Sequence, residues 1–212
     1  MTASHPPRRP GAWIGASALI LACALATPAR AQRSAGGPAK PAQGSAEMQR
    51  MLAPGPEARR LARRVGTWDV VMTIRVAPGA RPMVVRGMVA ERTMVGLYLT
   101  EVMKPAPGTR MPDFRRTDTL TFNKLQSRWD YVSMDTRAPI GIMYARSHAS
   151  EPGPTITVYF DNFANPGIGP LGQTLRARHV DSQQGANREL KRQYWTRPGG
   201  EEWLAIEYEY TR

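Results

Sequence analysis

The sequence predicts an all-β protein, an antiparallel up-and-down β-barrel of about ten strands preceded by a short N-terminal helix. From Trp68 onward, apolar side chains recur at every second residue, which is the period of a strand with one buried face. Gly and Pro each number 19 among 212 residues, so we expect many short elements separated by turns rather than a helical bundle. Strands joined by short turns pair antiparallel, and closure into a barrel removes both sheet edges. A two-sheet sandwich is the alternative.

Residues 1–31 have the features of a secretory signal peptide. Arg8 and Arg9 precede an uncharged apolar stretch, Trp13 to Ala26, and Ala29-Arg30-Ala31 supplies the small residues of a cleavage site. The stretch is shorter than the ~20 residues that a membrane-spanning helix needs. We therefore expect cleavage after Ala31 and a periplasmic or secreted protein. A lipoprotein, lipidated at Cys23, is the alternative.

Cleavage changes the charge and the cysteine content of the chain. It removes three arginines and no acids, which lowers Lys plus Arg from 29 to 26 against 17 acids and leaves a net charge of +9. A basic exported protein can contact an anionic membrane surface or bind an acidic small molecule, whereas nucleic acid is not an expected partner after export. Cys23 is the single cysteine of the sequence, so no intramolecular disulfide can form.

Residues 32–55 are predicted to form a flexible linker, with one helical turn at 46–52, and the barrel domain is predicted to span 56–212. A short helix opens this domain, because Pro56 and Glu57 are typical of a first turn and Gly66 of a helix end. The arginines of residues 59–64 share the polar face of that helix. We expect them to be solvated, and a membrane-surface helix is the alternative.

The alternating pattern predicts a first strand at 68–76 and nine more strands after it. Turn residues separate most of them, for example Gly79 to Pro82 and Pro198-Gly199-Gly200. The later strands are predicted at 82–95, 98–103, 116–123, 128–135, 140–148, 154–161, 173–181, 187–196 and 202–211.

Short pieces of this pattern resemble a known superfamily and one family within it. A helix followed by Gly66-Thr67-Trp68 is similar to the lipocalin and fatty-acid-binding proteins, in which the Trp plugs the closed end of a barrel. Residues 57–212 resemble the DUF1579 proteins of unknown function. The resembling pieces are Leu61 to Trp68, Arg92 with Met94-Val95-Gly96, Leu120 to Asn123 with Trp129 and Ser133-Met134, and Glu207 to Arg212. The family more usually has Tyr-Asp in place of Phe122-Asn123. The resemblance implies a barrel closed by Trp68 with Arg212 stacked on it, and it implies no reaction or ligand.

The more apolar face of each predicted strand should line the barrel. The predicted lining comprises Trp68, Val70, Met72, Ile74, Met88, Met94, Leu120, Phe122, Ile156, Val158, Phe160, Leu175, Ala177, Leu190, Tyr194, Leu204, Ile206, Tyr208 and Tyr210. The same alternation turns several polar side chains inward, and we predict that they bind the ligand together with the two tyrosines. These residues are Arg92, Asp118, His179, Arg192, Tyr208 and Tyr210.

Two alternatives remain for these inward polar residues. In the strand at 187–196 the opposite face carries Trp195, and burying that face would turn Arg192 to solvent. Arg92 could also serve the structure by pairing with Asp118, because buried charges require partners. As ligand residues, arginines would hold an anionic head group through the planar guanidinium.

Motifs for catalysis or cofactor binding are weak. The stretch Gly167 to Gly172 has the spacing GxGxxG, but Pro170 lies inside it and a strand rather than a helix is predicted to follow, so we expect a loop. The spacing of His148 and His179 does not support a zinc site, although a haem ligand needs only one histidine. We predict no catalytic residues, no metal and no cofactor.

The sequence therefore predicts an exported barrel that binds a small amphipathic or anionic molecule without catalysis. One alternative is an envelope isomerase or hydrolase that uses His179 or Asp118 as a base. Another is a solidly packed interaction module that presents the Arg59–Arg64 helix to a partner. An interior cavity of roughly 300 Å3 or more would favour the ligand-binding hypothesis.

Overall fold

A computed structural model describes residues 43–148, 153–164 and 174–212. The predicted signal peptide at 1–31, the first part of the predicted linker and the Gly167–Gly172 motif lie outside the described residues. The described elements are α1 (Gln43–Leu52), α2 (Pro56–Ala62), β1 (Gly66–Ile74), β2 (Met83–Val95), β3 (Tyr98–Pro105), β4 (Arg116–Asn123), β5 (Arg128–Asp135), β6 (Met143–Arg146), β7 (Thr155–Ala164), β8 (Thr174–Gln183), β9 (Arg188–Thr196) and β10 (Glu202–Thr211).

The ten strands form a closed antiparallel barrel in which each strand pairs with its neighbours in sequence. β1 and β10 complete the circle, with a register that runs from Asp69 opposite Thr211 to Ile74 opposite Ile206. The predicted fold class is confirmed. All ten strands lie where the alternation and turns place them, although β6 is shorter than the predicted 140–148 and α1 is longer than the predicted turn.

The helix α2 covers the end of the barrel at which β1 begins. Pro56 and Glu57 occupy its first turn, and Ala58 and Leu61 are buried on the face that packs against β2, β3 and β4. Arg64 follows the helix and is buried inside the barrel with 1% of its surface exposed. The expectation that every arginine of this segment is solvated is therefore wrong for Arg64, because interior carboxylates offer it partners. Neither helix in the described ranges is long and apolar enough to span a membrane.

The alternation predicts most of the barrel lining. In β1, for example, Trp68, Val70 and Met72 are buried and the residues between them are more exposed. The prediction is wrong in β9, where Lys191, Gln193 and Trp195 face inward. Leu190, although buried, and the half-exposed Tyr194 therefore lie on the opposite face.

Arg192 accordingly lies on the outer face of β9. Its Nε donates to Glu207 Oε2 on β10 over 2.6 Å. The predicted inward position of Arg192 is therefore wrong. The physical reason is that Trp195 gains more from burial than Arg192 would, while Lys191 finds buried carboxylates as partners.

In β10 the alternation is interrupted by a β-bulge. The pairing with β9 shifts register between Leu204 and Ile206, so Trp203 and Ala205 are buried at the start of the strand, and Tyr208 and Tyr210 at its end. A bulge inserts one residue into one strand and reverses the inward face beyond it. The predicted inward position of Leu204 is wrong for this reason.

Candidate functional site

The barrel interior has two parts that lie at opposite ends. Near α2, charged side chains from several strands fill the interior, and we call them the ionic cluster. Its members are Arg64, Arg92, Glu101, Arg116, Asp118, Asp181, Glu189 and Lys191, each no more than 6% exposed. At the other end, where β1 ends and β10 begins, apolar side chains surround an open cavity.

Arg92 lies at the centre of the ionic cluster and has two carboxylate partners. Its Nε donates to Glu101 Oε2 over 2.6 Å, and its Nη1 and Nη2 donate to the two oxygens of Glu189, each over 3.1 Å. The guanidinium carbon also lies 4.3 Å from the ring centre of Tyr210 and 5.1 Å from that of Trp68. Arg92 is therefore saturated by carboxylate partners from two other strands and by two aromatic faces.

Asp118 is bound by two cations and a hydroxyl. Arg116 Nε donates to it over 3.0 Å, Lys191 Nζ over 2.9 Å, and the hydroxyl of Ser133 over 2.6 Å. The alternative in which Arg92 pairs with Asp118 is wrong in its partner, because Arg116 and Lys191 occupy the positions around the carboxylate. Lys191 also lies 3.4 Å from Glu101 Oε1, which connects Asp118 to the partners of Arg92.

Arg64 completes the cluster at the end covered by α2. Its Nε lies 3.3 Å from Glu189 Oε2, and its Nη1 lies 3.6 Å from Asp181 Oδ2. The indole of Trp68 donates to the carbonyl of Arg64 over 2.9 Å. Four buried cations thus alternate with four buried carboxylates across the described part of the interior. A space of about 20 Å3 remains among them, which is room for about one water molecule.

The pKa values reflect this pairing. Burial opposes ionisation of Asp118, but Arg116 and Lys191 outweigh it and hold its pKa well below the usual range. Burial likewise opposes the charge of Lys191, yet Asp118 and Glu101 raise its pKa. Burial raises the pKa of Asp181 despite the nearby Lys191 and Arg64. The centre of the cluster is therefore stabilised as ion pairs, and Asp181 at its margin is compensated least.

Arg212 lies at the covered end, on the outer side of Trp68. Its guanidinium carbon is 4.3 Å from the ring centre of Trp68, and its Nη1 donates to the carbonyl of Val65 over 2.7 Å. Its Nη2 donates to the carbonyls of Arg63 and Ala186. The C-terminal residue thus connects β10 to the segment that links α2 to β1.

The cavity at the opposite end has a volume of about 310 Å3. Its walls are mostly apolar, and its polar lining comes from the side facing the ionic cluster and from the loop between β5 and β6. The apolar lining is Met72, Ile74, Ala138, Ile140, Met143, Phe160, Ala177, Trp195 and Ile206, and the polar lining is Arg116, Asp135, Arg137, His179, Gln193 and Tyr208. An apolar wall with a few grouped polar side chains is typical of small-molecule sites.

The polar floor of the cavity is held by the ionic cluster. Arg116 reaches both parts of the interior, since its Nη1 donates to the hydroxyl of Tyr208 over 2.7 Å and its Nη2 to that of Tyr131 over 3.0 Å. In these contacts the hydroxyl of Tyr208 accepts, which leaves its own proton for another acceptor.

His179 lies beside this floor as a neutral imidazole. Its ring centre is 4.4 Å from that of Phe160 and 5.3 Å from that of Tyr131. Burial, together with the charges of Arg116 and Lys191, lowers its pKa well below the usual value. The side chain bonds Gln193, while Nδ1 has no hydrogen-bond partner among the described residues.

The structure separates the six residues predicted to bind ligand. His179 and Tyr208 line the cavity, Arg92 and Asp118 belong to the ionic cluster, Tyr210 donates to Glu101, and Arg192 lies outside the barrel. Sequence reasoning missed several buried polar residues, namely Arg64, Glu101, Arg116, Asp181, Glu189, Lys191 and Gln193. Glu101 and Arg116 stand at inward positions of well-predicted strands, and this parity is the signal that could have identified them.

Within the described ranges, no group of three or more His, Cys, Asp or Glu side chains could hold a metal ion. The buried carboxylates have arginine and lysine partners instead. The ion pairs hold Arg116 in place, and Arg116 in turn positions the hydroxyl of Tyr208 at the cavity floor.

Comparison with known proteins gives a family match and a structural likeness. The model of a family described as "Protein of unknown function (DUF1579)" matches residues 53–212. No curated protein matches the chain. Among solved structures, the crystal structure of Rv2717c from M. tuberculosis is similar, with 15% sequence identity and a TM-score of 0.48, covering 76% of this chain and 99% of that one.

Proposed function

The chain belongs to the DUF1579 family, and we propose that this member is an exported barrel that holds a small amphipathic or anionic molecule without transforming it. The observation that carries the proposal is the cavity of about 310 Å3 at the end opposite α2. Its volume is within the range of small-molecule sites, which begins at about 300 Å3. A solidly packed interaction module would not need such a space.

The lining of the cavity supports an amphipathic ligand. Met72, Met143 and Ile206 offer adaptable apolar contacts for a hydrocarbon tail. Tyr208 and Gln193 offer polar contacts for a head group at the floor. The ligand would lie along the barrel axis with its polar end toward the ionic cluster.

The same contacts give less support to an enzyme that uses Asp118 as a base. Arg116 and Lys191 both contact this carboxylate and lower its pKa, so it accepts a proton poorly. Asp118 also does not line the cavity. Because it accepts a hydrogen bond from Arg116 Nε, Asp118 serves to position Arg116.

The proposed function is tested by native mass spectrometry of the protein purified from its own envelope fraction. We expect a bound small molecule that is lost in Ala138→Trp, which fills the cavity rim, and kept in Ala186→Trp, which changes an exposed loop residue at the α2 end of the barrel. A ligand-free mass, also after incubation with lipid and metabolite panels, would refute the proposal. A ligand retained equally by both variants would place binding elsewhere.

We also propose that residues 1–31 direct export. The proposal rests on the charged start, the apolar stretch and the Ala29-Arg30-Ala31 site of the sequence. The mass of the protein isolated from cells tests it, because cleavage after Ala31 leaves Gln32 as the first residue. A lipid-modified chain beginning at Cys23 would support the lipoprotein alternative, and an uncleaved chain would refute export by this signal.

Contact with an anionic membrane surface is proposed for the end of the barrel at which the cavity lies. Exposed arginines stand in the loops and strand starts there, including Arg81, Arg86 and Arg115. Exposed apolar side chains lie near them, with Val76 49% and Met83 56% exposed. Basic and apolar groups together favour the surface of an anionic bilayer.

A further inference from the structure

We propose that the cavity selects amphiphiles with an uncharged polar head and discriminates against the same hydrocarbon chain with a charged head. The inference rests on the proposed function, because it specifies the ligand of that cavity. It follows from the composition of the ionic cluster, which lies directly beneath the cavity floor.

The ionic cluster is balanced in charge. Its four cations and four carboxylates are all buried, and each cation lies within 4 Å of at least one carboxylate. Removing one member of such a set leaves an uncompensated charge in the interior, which is strongly destabilising. A charged head group placed beside the set has the same effect, because it adds a charge that no interior group balances.

The cavity itself offers no unbalanced charge to a head group. Arg116 lines the floor, but its Nε already donates to Asp118, and Nη1 and Nη2 donate to tyrosine hydroxyls. At the rim, Arg137 Nη2 lies 2.6 Å from Asp135 Oδ2. The two arginines of the lining therefore each have a carboxylate partner.

The polar groups that remain suit an uncharged head. The hydroxyl of Tyr208 has a proton to donate, and the amide of Gln193 can both donate and accept. His179 lies beside them as a neutral ring in an aromatic environment. A hydroxyl, ester or amide head can form hydrogen bonds here without changing the net charge of the interior.

Three probes with the same ten-carbon chain test the inference on the unmodified protein: 1-decanol, decanoate and decylammonium, near neutral pH. Binding is followed by titration calorimetry and by tryptophan fluorescence, to which Trp195 contributes from the cavity lining. We expect decanol to bind at least about tenfold more tightly than either ion. Decanoate or decylammonium binding as tightly as decanol would overturn the inference and leave the proposed function intact. Binding of none of the three would refute both.

Variants of the cluster should change the preference in opposite directions. Asp118→Asn removes one negative charge and should favour decanoate by about tenfold relative to decanol, whereas Lys191→Met removes one positive charge and should favour decylammonium. The double variant restores the balance and should restore the preference for decanol. Glu207→Gln changes charge on the outer face and should leave the preference unchanged. Identical preferences in the single variants and the unmodified protein would overturn the inference.

The double variant also addresses folding. Either single substitution leaves a buried charge with fewer partners and therefore lowers stability. The double variant removes both Asp118 and Lys191, whose charged atoms are 2.9 Å apart, so the charges that remain are balanced. Far-ultraviolet circular dichroism and thermal unfolding identify which variants are folded. The comparison of the three probes on the unmodified protein does not depend on any variant.

Discussion

Arg92 and Arg192 lie in contrasting environments, one inside the barrel and one on its outer face. Arg92 is 3% exposed and lies between Glu101, Glu189, Trp68 and Tyr210. Arg192 lies on the outer face. Its ion pair with Glu207 is about one-third exposed, so solvent screens it.

The two arginines should therefore differ in their effect on stability. We expect Arg92→Met to lower the free energy of unfolding by about 3–5 kcal/mol, because it leaves buried carboxylates short of a partner. Arg192→Met is the matched control and should cost at most about 1 kcal/mol. Urea unfolding measures both. Equal losses would contradict the assignment of Arg92 to the ionic cluster.

His179 should make stability depend on pH. Burial lowers its pKa in the folded protein well below that of the unfolded chain, which is about 6.5. Below about pH 6.5 the unfolded chain therefore binds a proton that the folded protein does not, and the free energy of unfolding falls as the pH falls. We expect a slope of up to roughly 1.4 kcal/mol per pH unit between about pH 6.5 and 5, measured by urea unfolding.

Two histidine substitutions assign this pH dependence. His179→Gln should flatten the slope in that range, because the group that binds the extra proton on unfolding is gone. His148→Gln changes an exposed histidine that stacks on Tyr159, and it should keep the slope. A slope that survives His179→Gln would assign the proton to other groups.

At the scale of elements, bulges in β2 and β10 decide which side chains reach the interior. In β2, Arg86 and Gly87 together oppose Val71, and the following Met88, Ala90 and Arg92 point inward. Gly87 has a φ of 83°, and a Cβ on it would lie 2.9 Å from Thr109 Cγ2. Both the backbone angle and the loop between β3 and β4 therefore require glycine.

We expect Gly87→Ala to destabilise the barrel by about 2–3 kcal/mol, because the positive φ costs about 1–2 kcal/mol and the methyl group meets Thr109. Gly96→Ala is the control, since its φ is 60° but no atom lies within 4 Å of the added carbon. It should cost about 1 kcal/mol. Adding Thr109→Ser to Gly87→Ala should recover the difference, and its failure to do so would exclude the contact as the cause.

At the scale of the whole molecule, a formal net charge of +12, or +9 after the predicted cleavage, favours anionic surfaces. We expect the protein to cosediment with vesicles of anionic lipid and not with vesicles of neutral lipid. Binding should decrease between roughly 0.1 M and 1 M salt, because the screening length falls from about 10 Å to 3 Å.

Charge reversals identify the surface that contacts the vesicles. The pair Arg81→Glu and Arg115→Glu acts at the cavity end, and the pair Arg59→Glu and Arg63→Glu acts on the α2 end with the same change in charge. We expect only the first pair to abolish cosedimentation. Loss with the second pair alone would favour the helix as the membrane contact.

The sequence determined the fold because its signals are local. Alternation along each strand, turn residues between strands and the helix preceding Trp68 depend on residues a few positions apart. These signals predicted ten strands and their order, and the motifs at Gly66-Thr67-Trp68 and Glu207 to Arg212 indicated the family. They also placed His179 and Tyr208 inside the barrel.

Only the tertiary structure decided which buried charges pair and where space remains for a ligand. Arg92 and Glu189 are 97 positions apart and meet because the barrel closes. One bulge residue reverses the inward face of part of a strand, so alternation alone placed Leu204 wrongly. The face of β9 was decided by the burial of Trp195 and by partners for Lys191 on other strands. A cavity is what remains after all side chains are packed, and for that reason it depends on contacts that no local pattern contains.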